Sequence, residues 1–380
     1  MILFYAWTDT QLINAVNVKV NFYSQPQADL LILNLSRISK ELVDVIKNQG
    51  IFREIHILDL PAGYMEKKRV QLRDKVKAIF LGIVYWKSIK RQLQKYISNN
   101  AYSHFFTAAF WSETLFVLRY LKKHNPDLEV WFYEDGLANY NGPNKWLFKA
   151  VPNTSVKAAI RTVLYYGLTP YTYRKYVKGV YLYEPRISNI DYLETKKMPP
   201  INEERNKICF QICKEINNST DEAYQNSDII YIADAPDTNS AEPFYLIYEI
   251  LDSIYSIIPN AKVVLKLHPI MEALQIKFAD EKYPQLHVDK RKGGIEHILI
   301  PVDLNKKIII TGNSSSALYL GYVYDKQPYM ILTTNFSLNS RLQEYTQRYA
   351  RYYKQEKISV PSNLDELKSC IKEQFERGSM

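Results

Sequence analysis

Short apolar runs alternate with amphipathic segments along most of the chain, and this alternation predicts repeated β-α-β units. Runs of strand length occupy residues 1–7, 29–35, 54–60, 103–110, 129–134, 227–234, 261–269, 306–312 and 327–333. Helical spacing is found at 10–22, 39–49, 112–125, 242–257, 314–325 and 363–378. Because most of these strands are apolar almost throughout, we expect parallel sheets that are covered on both faces.

The pattern breaks once, in a polar segment with two consecutive prolines. The break predicts an N-terminal domain over 1–185, a linker over 186–206 and a C-terminal domain over 207–380. A chain of 380 residues also favours two domains over one. Two such domains enclose a cleft, and parallel sheets bind ligands beyond the carboxyl ends of their strands. Residues that directly follow strands are therefore the candidates for chemistry.

The composition narrows the class of partner. The formal net charge is +9, and basic clusters lie at 67–77, 87–96 and 341–354. Each cluster suits either a solvated helix face or contact with a membrane surface. Zinc-finger spacing and aromatic RNA-binding signatures are missing from the sequence, so we expect no nucleic-acid partner. Tyrosine is abundant, with 31 copies, and suits surfaces that meet sugars, lipid headgroups or proteins.

The chain reads as cytoplasmic, with peripheral contact at the inner face of the cell membrane as the alternative. Its N-terminus lacks a basic segment ahead of an apolar core, so we expect no secretory signal peptide. The longest apolar run, 78–86, is far shorter than the roughly 20 residues of a membrane span. Three cysteines fit a reducing compartment.

A serine-rich loop leads from the strand at 306–312 into a helix. It contains Asn313, Ser314, Ser315 and Ser316 after Gly312. Backbone N–H groups and the positive end of the helix dipole favour a phosphate there, and hydroxyls add donors. A simple helix cap is the alternative, although it needs only one Ser or Asn.

Two further strand ends carry groups for proton transfer. His268 follows the strand at 261–267, and Lys266 shares its face by strand alternation. The pair can neutralise phosphate charge, and the imidazole can protonate a leaving phosphate. Glu134 and Asp135 follow the strand at 129–134, as a turn or as a proton-transfer site.

Asp237 follows the strand at 227–234, either as a helix cap or as a rival base to Asp135. Of the adjacent acids Glu134 and Asp135, the second is the better candidate for the base. Glu134 is expected to orient the loop or to bind the acceptor.

Taken in order, the motifs YEDG (133–136), KLHP (266–269) and NSSSALY (313–319) resemble those of bacterial sialyltransferases of the two-domain GT-B type. The opening FYAWTDTQLINA is similar to the first strand and helix of the lipo-oligosaccharide group. The resemblance covers most of the chain as architecture but only about twenty residues as motif. It implies an α/β fold with two Rossmann-like β/α/β domains that face a central cleft.

The resemblance also implies roles for individual residues. Asp135 corresponds to the general base, with Asp237 as rival because an acid in a similar segment has that role in the lipo-oligosaccharide group. His268 corresponds to the group that stabilises or protonates the departing phosphate, and Ser314 and Ser315 to phosphate ligands. The nucleoside contacts correspond to Lys266, for cytosine, and Glu296, for ribose. The family needs no metal and no other cofactor.

These expectations combine into one activity: metal-independent, inverting transfer of sialic acid from CMP-sialic acid to a hydroxyl of a capsule, exopolysaccharide or lipo-oligosaccharide glycan. The acceptor would end in galactose or a similar sugar. A related transferase that uses CDP-glycerol, CMP-Kdo or a UDP-sugar stays open as the alternative. A non-catalytic binding protein also stays open as an alternative function. A homodimer stays open as the oligomeric state.

Overall fold

The structure is a computed structural model that divides into two compact units, Met1–Pro199 and Pro200–Met380. It describes residues 1–34, 38–59, 87–97, 101–110, 112–136, 139–140, 176–191, 193–216, 222–234, 244–268, 282–283, 285–290, 295–300, 302–312, 314–324, 326, 328–336, 349–350 and 357–379. The unit boundary lies inside the predicted linker, 186–206.

The first unit is built on a seven-stranded sheet whose strand pairs are all parallel. Its strands are β1 (Ile2–Ala6), β2 (Ala28–Asn34), β3 (Glu54–Asp59), β4 (His104–Thr107), β5 (Glu129–Tyr133), β6 (Val177–Leu182) and β7 (Glu194–Lys197). They lie in the order β3-β2-β1-β4-β5-β6-β7. The order reverses between β1 and β4, which makes the gap between these strands the topological switch point.

The first unit has four α-helices among its described residues. They are α1 (Asp9–Phe22), α2 (Lys40–Asn48), α3 over 87–97 and α4 (Ser112–His124). α1 and α2 begin at caps, because the hydroxyls of Thr8 and Ser39 accept the backbone N–H groups of Gln11 and Leu42. In α3 the apolar side chains are buried while the lysines and arginine are exposed, so this basic cluster forms a solvated helix face.

The second unit repeats the same architecture. Its parallel six-stranded sheet contains β8 (Ile229–Ile232), β9 (Val263–Lys266), β10 (Leu286–Asp289), β11 (Ile308–Thr311), β12 (Tyr329–Leu332) and β13 (Ile358–Ser359). The order is β10-β9-β8-β11-β12-β13, so the switch point lies between β8 and β11. The helices are α5 (Lys207–Ile216), α6 (Glu222–Asn226), α7 (Tyr245–Ile257), α8 (Glu296–Leu299), α9 (Ser315–Tyr322) and α10 (Leu364–Ser379).

The central strands of both sheets are buried along their length, as a sheet covered on both faces requires. β1, β8, β9 and β11 are buried at every position. In the second unit α7 and α10 pack on this sheet through Ile250, Leu251, Ile254, Leu367 and Ile371. This burial confirms the predicted fold class of two parallel α/β domains.

The predicted linker contains part of the first sheet, which corrects its assignment as a connecting segment. β7 lies inside it and pairs in parallel with β6. The sequence ETKK does not show a strand because an edge strand needs no apolar face, and two of its four residues are exposed. Among the described residues, no helix is long and apolar enough to cross a membrane.

Candidate functional site

The two adjacent acids lie directly after β5, at the carboxyl ends of the strands of the first sheet. Glu134 and Asp135 follow Tyr133 directly, and Gly136 turns the chain with φ of 122°. A side chain at Gly136 would be strained, because L-residues rarely adopt positive φ. The two carboxylates that precede this turn lie in different environments.

Glu134 is fully buried and holds the surrounding loops together. Its Oε2 accepts hydrogen bonds from the Tyr140 hydroxyl at 2.5 Å and from the Tyr183 backbone N–H at 2.8 Å. Its exposed fraction is 0%. A carboxylate in this setting positions other residues, which agrees with the loop-orienting alternative rather than with direct contact to substrate.

Asp135 is half-buried and is held at the N-terminus of α1. Its Oδ2 accepts a hydrogen bond from Gln11 Nε2 at 2.7 Å, and its backbone N–H donates to Asn139 Oδ1 at 2.8 Å. Asn139 in turn donates to the Ala108 carbonyl at the end of β4. Because α1 follows β1, these contacts place the Asp135 carboxylate at the β1–β4 switch point.

A buried stripe of amides on α1 extends from this carboxylate. Asn14 donates to the Glu134 carbonyl at 2.8 Å and accepts from the Tyr183 hydroxyl at 2.6 Å. Asn17 donates to the same hydroxyl and to the Pro199 carbonyl, both at 3.0 Å. Hydrogen bonds thus continue from the strand-end acids to the last residue of the first unit.

In the second unit, strand register brings the predicted phosphate-site residues to one edge. Ile232 pairs with both Lys266 and Thr311. Two residues further along these strands are Asp234 and His268, which therefore occupy neighbouring strand ends. The register assigns them to the same edge as the loop that opens α9, next to the β8–β11 switch point.

His268 is half-buried, and burial lowers the pKa of its imidazole below the ordinary value. The ring is therefore mostly neutral near pH 7 in the ligand-free protein. A phosphate dianion nearby would favour the charged ring. His268 thus suits a group that binds or protonates a phosphate once the ligand is present.

Lys266 does not have the exposure of a ligand contact. Its side chain is 4% exposed, and its Nζ lies 3.7 Å from Asp289 Oδ2 on the neighbouring strand. The Tyr224 hydroxyl donates to the same carboxylate oxygen at 2.7 Å. The lysine therefore balances a buried charge rather than presenting an exposed cation to a ligand.

The serine-rich loop begins at Gly312, where Asp234 packs directly on the backbone. A Cβ at Gly312 would lie 1.9 Å from Asp234 Oδ2, so the absence of a side chain permits the contact. Ser314 occupies the N-cap position of α9, and its side chain makes no capping hydrogen bond. Its hydroxyl is therefore not used as the helix cap that would explain a single serine.

The other predicted residues of the second unit are placed only in part. Ser315 and Ser316 form the first turn of α9, and Glu296 is the first residue of α8. Asn313 and Asp237 lie outside the described residues. Within the part of the chain that the structure describes, His, Cys, Asp and Glu side chains form no group able to hold a metal ion.

Sequence reasoning missed the amides that hold Asp135 and also the contact of Asp234 with Gly312. Gln11 and Asn14 lie on the apolar helix 10–22, where a polar residue in the buried face is the signal that was available. Asp234 belongs to the segment singled out for Asp237. Thr334 is a further strand-end residue, fully buried, whose hydroxyl has no hydrogen-bond partner among the described residues.

Comparison with known proteins identifies the fold. No family model and no curated protein matches the sequence. CalG4, the calicheamicin glycosyltransferase, is 10% identical with a TM-score of 0.51, over 99% of this chain and 89% of its own. S. aureus MnaA, in a co-structure with UDP, is 10% identical with a TM-score of 0.53, over 99% and 89%.

A UDP-GlcNAc 2-epimerase from Neisseria meningitidis, bound to UDP-GlcNAc, is 12% identical with a TM-score of 0.52, over 100% of this chain and 92% of its own. The two units thus have the Rossmann-like domains of GT-B glycosyltransferase folds. Identities this low show the fold alone, and the fold is shared by transferases and by a sugar-nucleotide epimerase.

Proposed function

We propose that the protein is an inverting glycosyltransferase that moves a sugar from a nucleotide-activated donor to a hydroxyl of a surface glycan. The observation that supports it best is the pair of switch points. One presents a partly exposed carboxylate, Asp135, and the other presents His268 beside a loop that opens a helix. A base for the acceptor and a phosphate-binding edge for the donor are the two parts that such a transfer needs.

The proposed transfer forms one bond and breaks one bond at the anomeric carbon of the donor sugar. The acceptor oxygen attacks the anomeric carbon, and its proton passes to Asp135 as the new C–O bond forms. The bond between that carbon and the phosphate oxygen breaks, and its electron pair leaves with the phosphate. His268, the Ser314 hydroxyl and the N-terminus of α9 stabilise this developing charge. Asp237, predicted as the rival base, lies outside the described residues.

Two donors are in competition. The motif order favours CMP-sialic acid, whereas UDP or a UDP-sugar is bound in two of the similar structures. We take a UDP-sugar as the better supported donor, with CMP-sialic acid second and CDP-glycerol or CMP-Kdo behind it. The acceptor is proposed to be a cell-surface glycan with a terminal galactose or a similar sugar. The enzyme is proposed to be cytoplasmic or peripheral to the membrane.

A nucleotide screen followed by a turnover assay tests the proposal. UDP, CMP, CDP and GDP are compared by thermal shift, since a ligand that binds only the folded state raises the melting temperature. The donor of the best nucleotide is then incubated with and without a galactose-terminated acceptor. We expect nucleotide release that depends on the acceptor. Altered sugar-nucleotide without acceptor would identify an epimerase, and tight binding without any turnover a binding protein; both contradict transfer.

Asp135→Asn and Glu134→Gln form a matched pair for the base. Loss of a general base costs about 10²- to 10⁴-fold in rate, so Asp135→Asn is expected to lose turnover in that range while it retains its melting temperature. Glu134→Gln is expected to lower the melting temperature more than Asp135→Asn does, because Glu134 accepts two buried hydrogen bonds. Full activity in Asp135→Asn would exclude Asp135 as the base.

The proposal assigns phosphate charge to protein groups rather than to a metal. We therefore expect turnover to be unchanged after extensive dialysis against EDTA, measured as nucleotide release from the best donor. Restoration by Mg²⁺ or Mn²⁺ of an activity that the chelator removed would contradict this part of the proposal.

A further inference from the structure

Gln11 is a buried residue in the first turn of α1, and its side-chain amide contacts the Asp135 carboxylate. We infer that Gln11 is a positioning residue that orients Asp135 and keeps it ionised as the acceptor base. This inference rests on the proposed function for the base role alone. The contact between the two side chains is independent of that role.

The amide of Gln11 has only one orientation that satisfies both of its contacts. The Trp7 backbone N–H donates to Gln11 Oε1 at 2.9 Å, so the oxygen is fixed on that side. The opposite end of the amide, Nε2, lies 2.7 Å from Asp135 Oδ2 and can only donate. Asp135 Oδ2 therefore accepts this hydrogen bond, which favours its charged form.

The backbone of Gln11 is also fixed. Its N–H donates to the Thr8 hydroxyl at 3.3 Å, within the cap of α1. The residue is 0% exposed. A single rigid turn thus links the β1 end to the Asp135 carboxylate, and the helix dipole adds favourable charge at the same place.

The main chain at Asp135 is held by other groups. Asn139 accepts its N–H, and Asn14 donates to the Glu134 carbonyl that precedes it. Gly136 sets the turn that follows. Replacing Gln11 therefore removes its hydrogen bond to the carboxylate, whereas these main-chain contacts do not involve Gln11, and this separation makes the inference testable.

Several titratable groups lie on the elements around Asp135. Burial, together with the charge of Asp135, raises the pKa of Tyr133 well above its ordinary value, and the Tyr133 hydroxyl donates to the Tyr5 carbonyl. The others are Asp9 on α1, Glu134 after β5, Tyr140, and Tyr183 with the Glu184–Arg186 ion pair after β6. Gln11 takes no part in the hydrogen bonds and the ion pair named here.

The test uses Gln11→Glu, which keeps the size of the side chain. Its carboxyl would have to hold a proton in order to donate to Asp135, and a second charge so close opposes ionisation of Asp135. The control is Gln94→Glu, which makes the same replacement at an exposed position on α3 of the same unit. We expect the acid limb of kcat/KM against pH to move up by about one to three pH units in Gln11→Glu. The control should stay near the wild-type profile.

A second measurement does not depend on turnover. The protein is labelled with ¹³C at the aspartate carboxyl carbons, and the Asp135 signal is assigned as the one missing from Asp135→Asn. Its titration midpoint should rise in Gln11→Glu and, by less, in Gln11→Met, which serves if the glutamate variant does not fold. An unchanged midpoint in whichever of the two variants folds overturns the role of Gln11. A raised midpoint with an unchanged rate profile upholds the positioning and instead refutes Asp135 as the base.

Discussion

Two adjacent carboxylates acquire different roles because one turn gives them different surroundings. Glu134 is fully buried and bonded to Tyr140 and Tyr183, whereas Asp135 keeps part of its surface exposed and is supported from α1. Burial and hydrogen bonding, rather than residue type, decide which acid can meet a substrate. The same distinction applies in the second unit, where Lys266 is buried in an ion pair and His268 remains half-buried.

Protonation of His268 should accompany nucleotide binding. Burial lowers the pKa of His268, so near pH 6.5 the free ring is mostly neutral, and a bound phosphate raises its pKa again. Calorimetric titration of UDP in two buffers with different ionisation enthalpies should therefore show net proton uptake of no more than one proton. The uptake should vanish in His268→Asn. Equal uptake in that variant would mean that another group takes the proton.

Gly312 is expected to be coupled to Asp234. In Gly312→Ala the new Cβ would meet Asp234 Oδ2, so the acid has to move from the loop that opens α9. We expect UDP binding to weaken by about tenfold, or 1.4 kcal/mol, measured by calorimetry. In an Asp234→Ala background the same change should cost much less, because the obstructing carboxylate is gone. Equal losses in both backgrounds would show that the backbone, not Asp234, is the cause.

At the scale of elements, α1 carries the polar contacts of the first switch point. Asn17 is buried and donates to the Tyr183 hydroxyl and the Pro199 carbonyl, whereas Asn48 on α2 is exposed. Asn17→Ala should lower the free energy of unfolding by about 1–3 kcal/mol. Asn48→Ala should change it by no more than about 0.5 kcal/mol. Urea denaturation compares them, and equal effects would show that the buried amide adds no stability.

Most strands that sequence patterning predicted are buried along their length, although β3 has only one buried residue among its six. β1, β8 and β11 read as strands because every position is apolar and buried. Patterning missed β6, which a glycine interrupts, and β10, which alternates with an exposed histidine. It also missed β7, which is polar and lies at the edge, and the short β13. Strand ends located the acids, His268 and the serines, since that rule needs only strand positions.

Contacts between distant segments could not be predicted in the same way. Gln11 contacts Asp135 although the two residues are far apart in the sequence. Asp234 contacts Gly312 because their strands are neighbours in the sheet. No single segment of the sequence determines the order of the strands in a sheet. The abundant tyrosines show the same limit: Tyr133, Tyr140 and Tyr183 are fully buried and serve as hydroxyl partners within the fold rather than as surface groups.

At the scale of the whole molecule, each unit has its own sheet and its own intrinsic probe. All five tryptophans lie before residue 200, and all three cysteines lie after it. Trp7 and Trp131 are buried, so tryptophan emission reports unfolding of the first unit. Cys209 and Cys213 are fully buried in α5, and burial raises the pKa of the Cys213 thiol, so both react only when the second unit opens.

These probes separate the effect of a nucleotide on the two units. In a Cys370→Ser background, UDP at about 100 times its Kd should stabilise the unit that binds it by about 2.7 kcal/mol. Because the phosphate-site groups belong to the second unit, the urea midpoint detected by thiol labelling should rise while the midpoint detected by tryptophan emission stays in place. CMP in place of UDP ranks the two donor classes by the size of the same shift. A rise in the tryptophan midpoint alone would place the nucleotide in the first unit and contradict the assignment of His268 and Ser314.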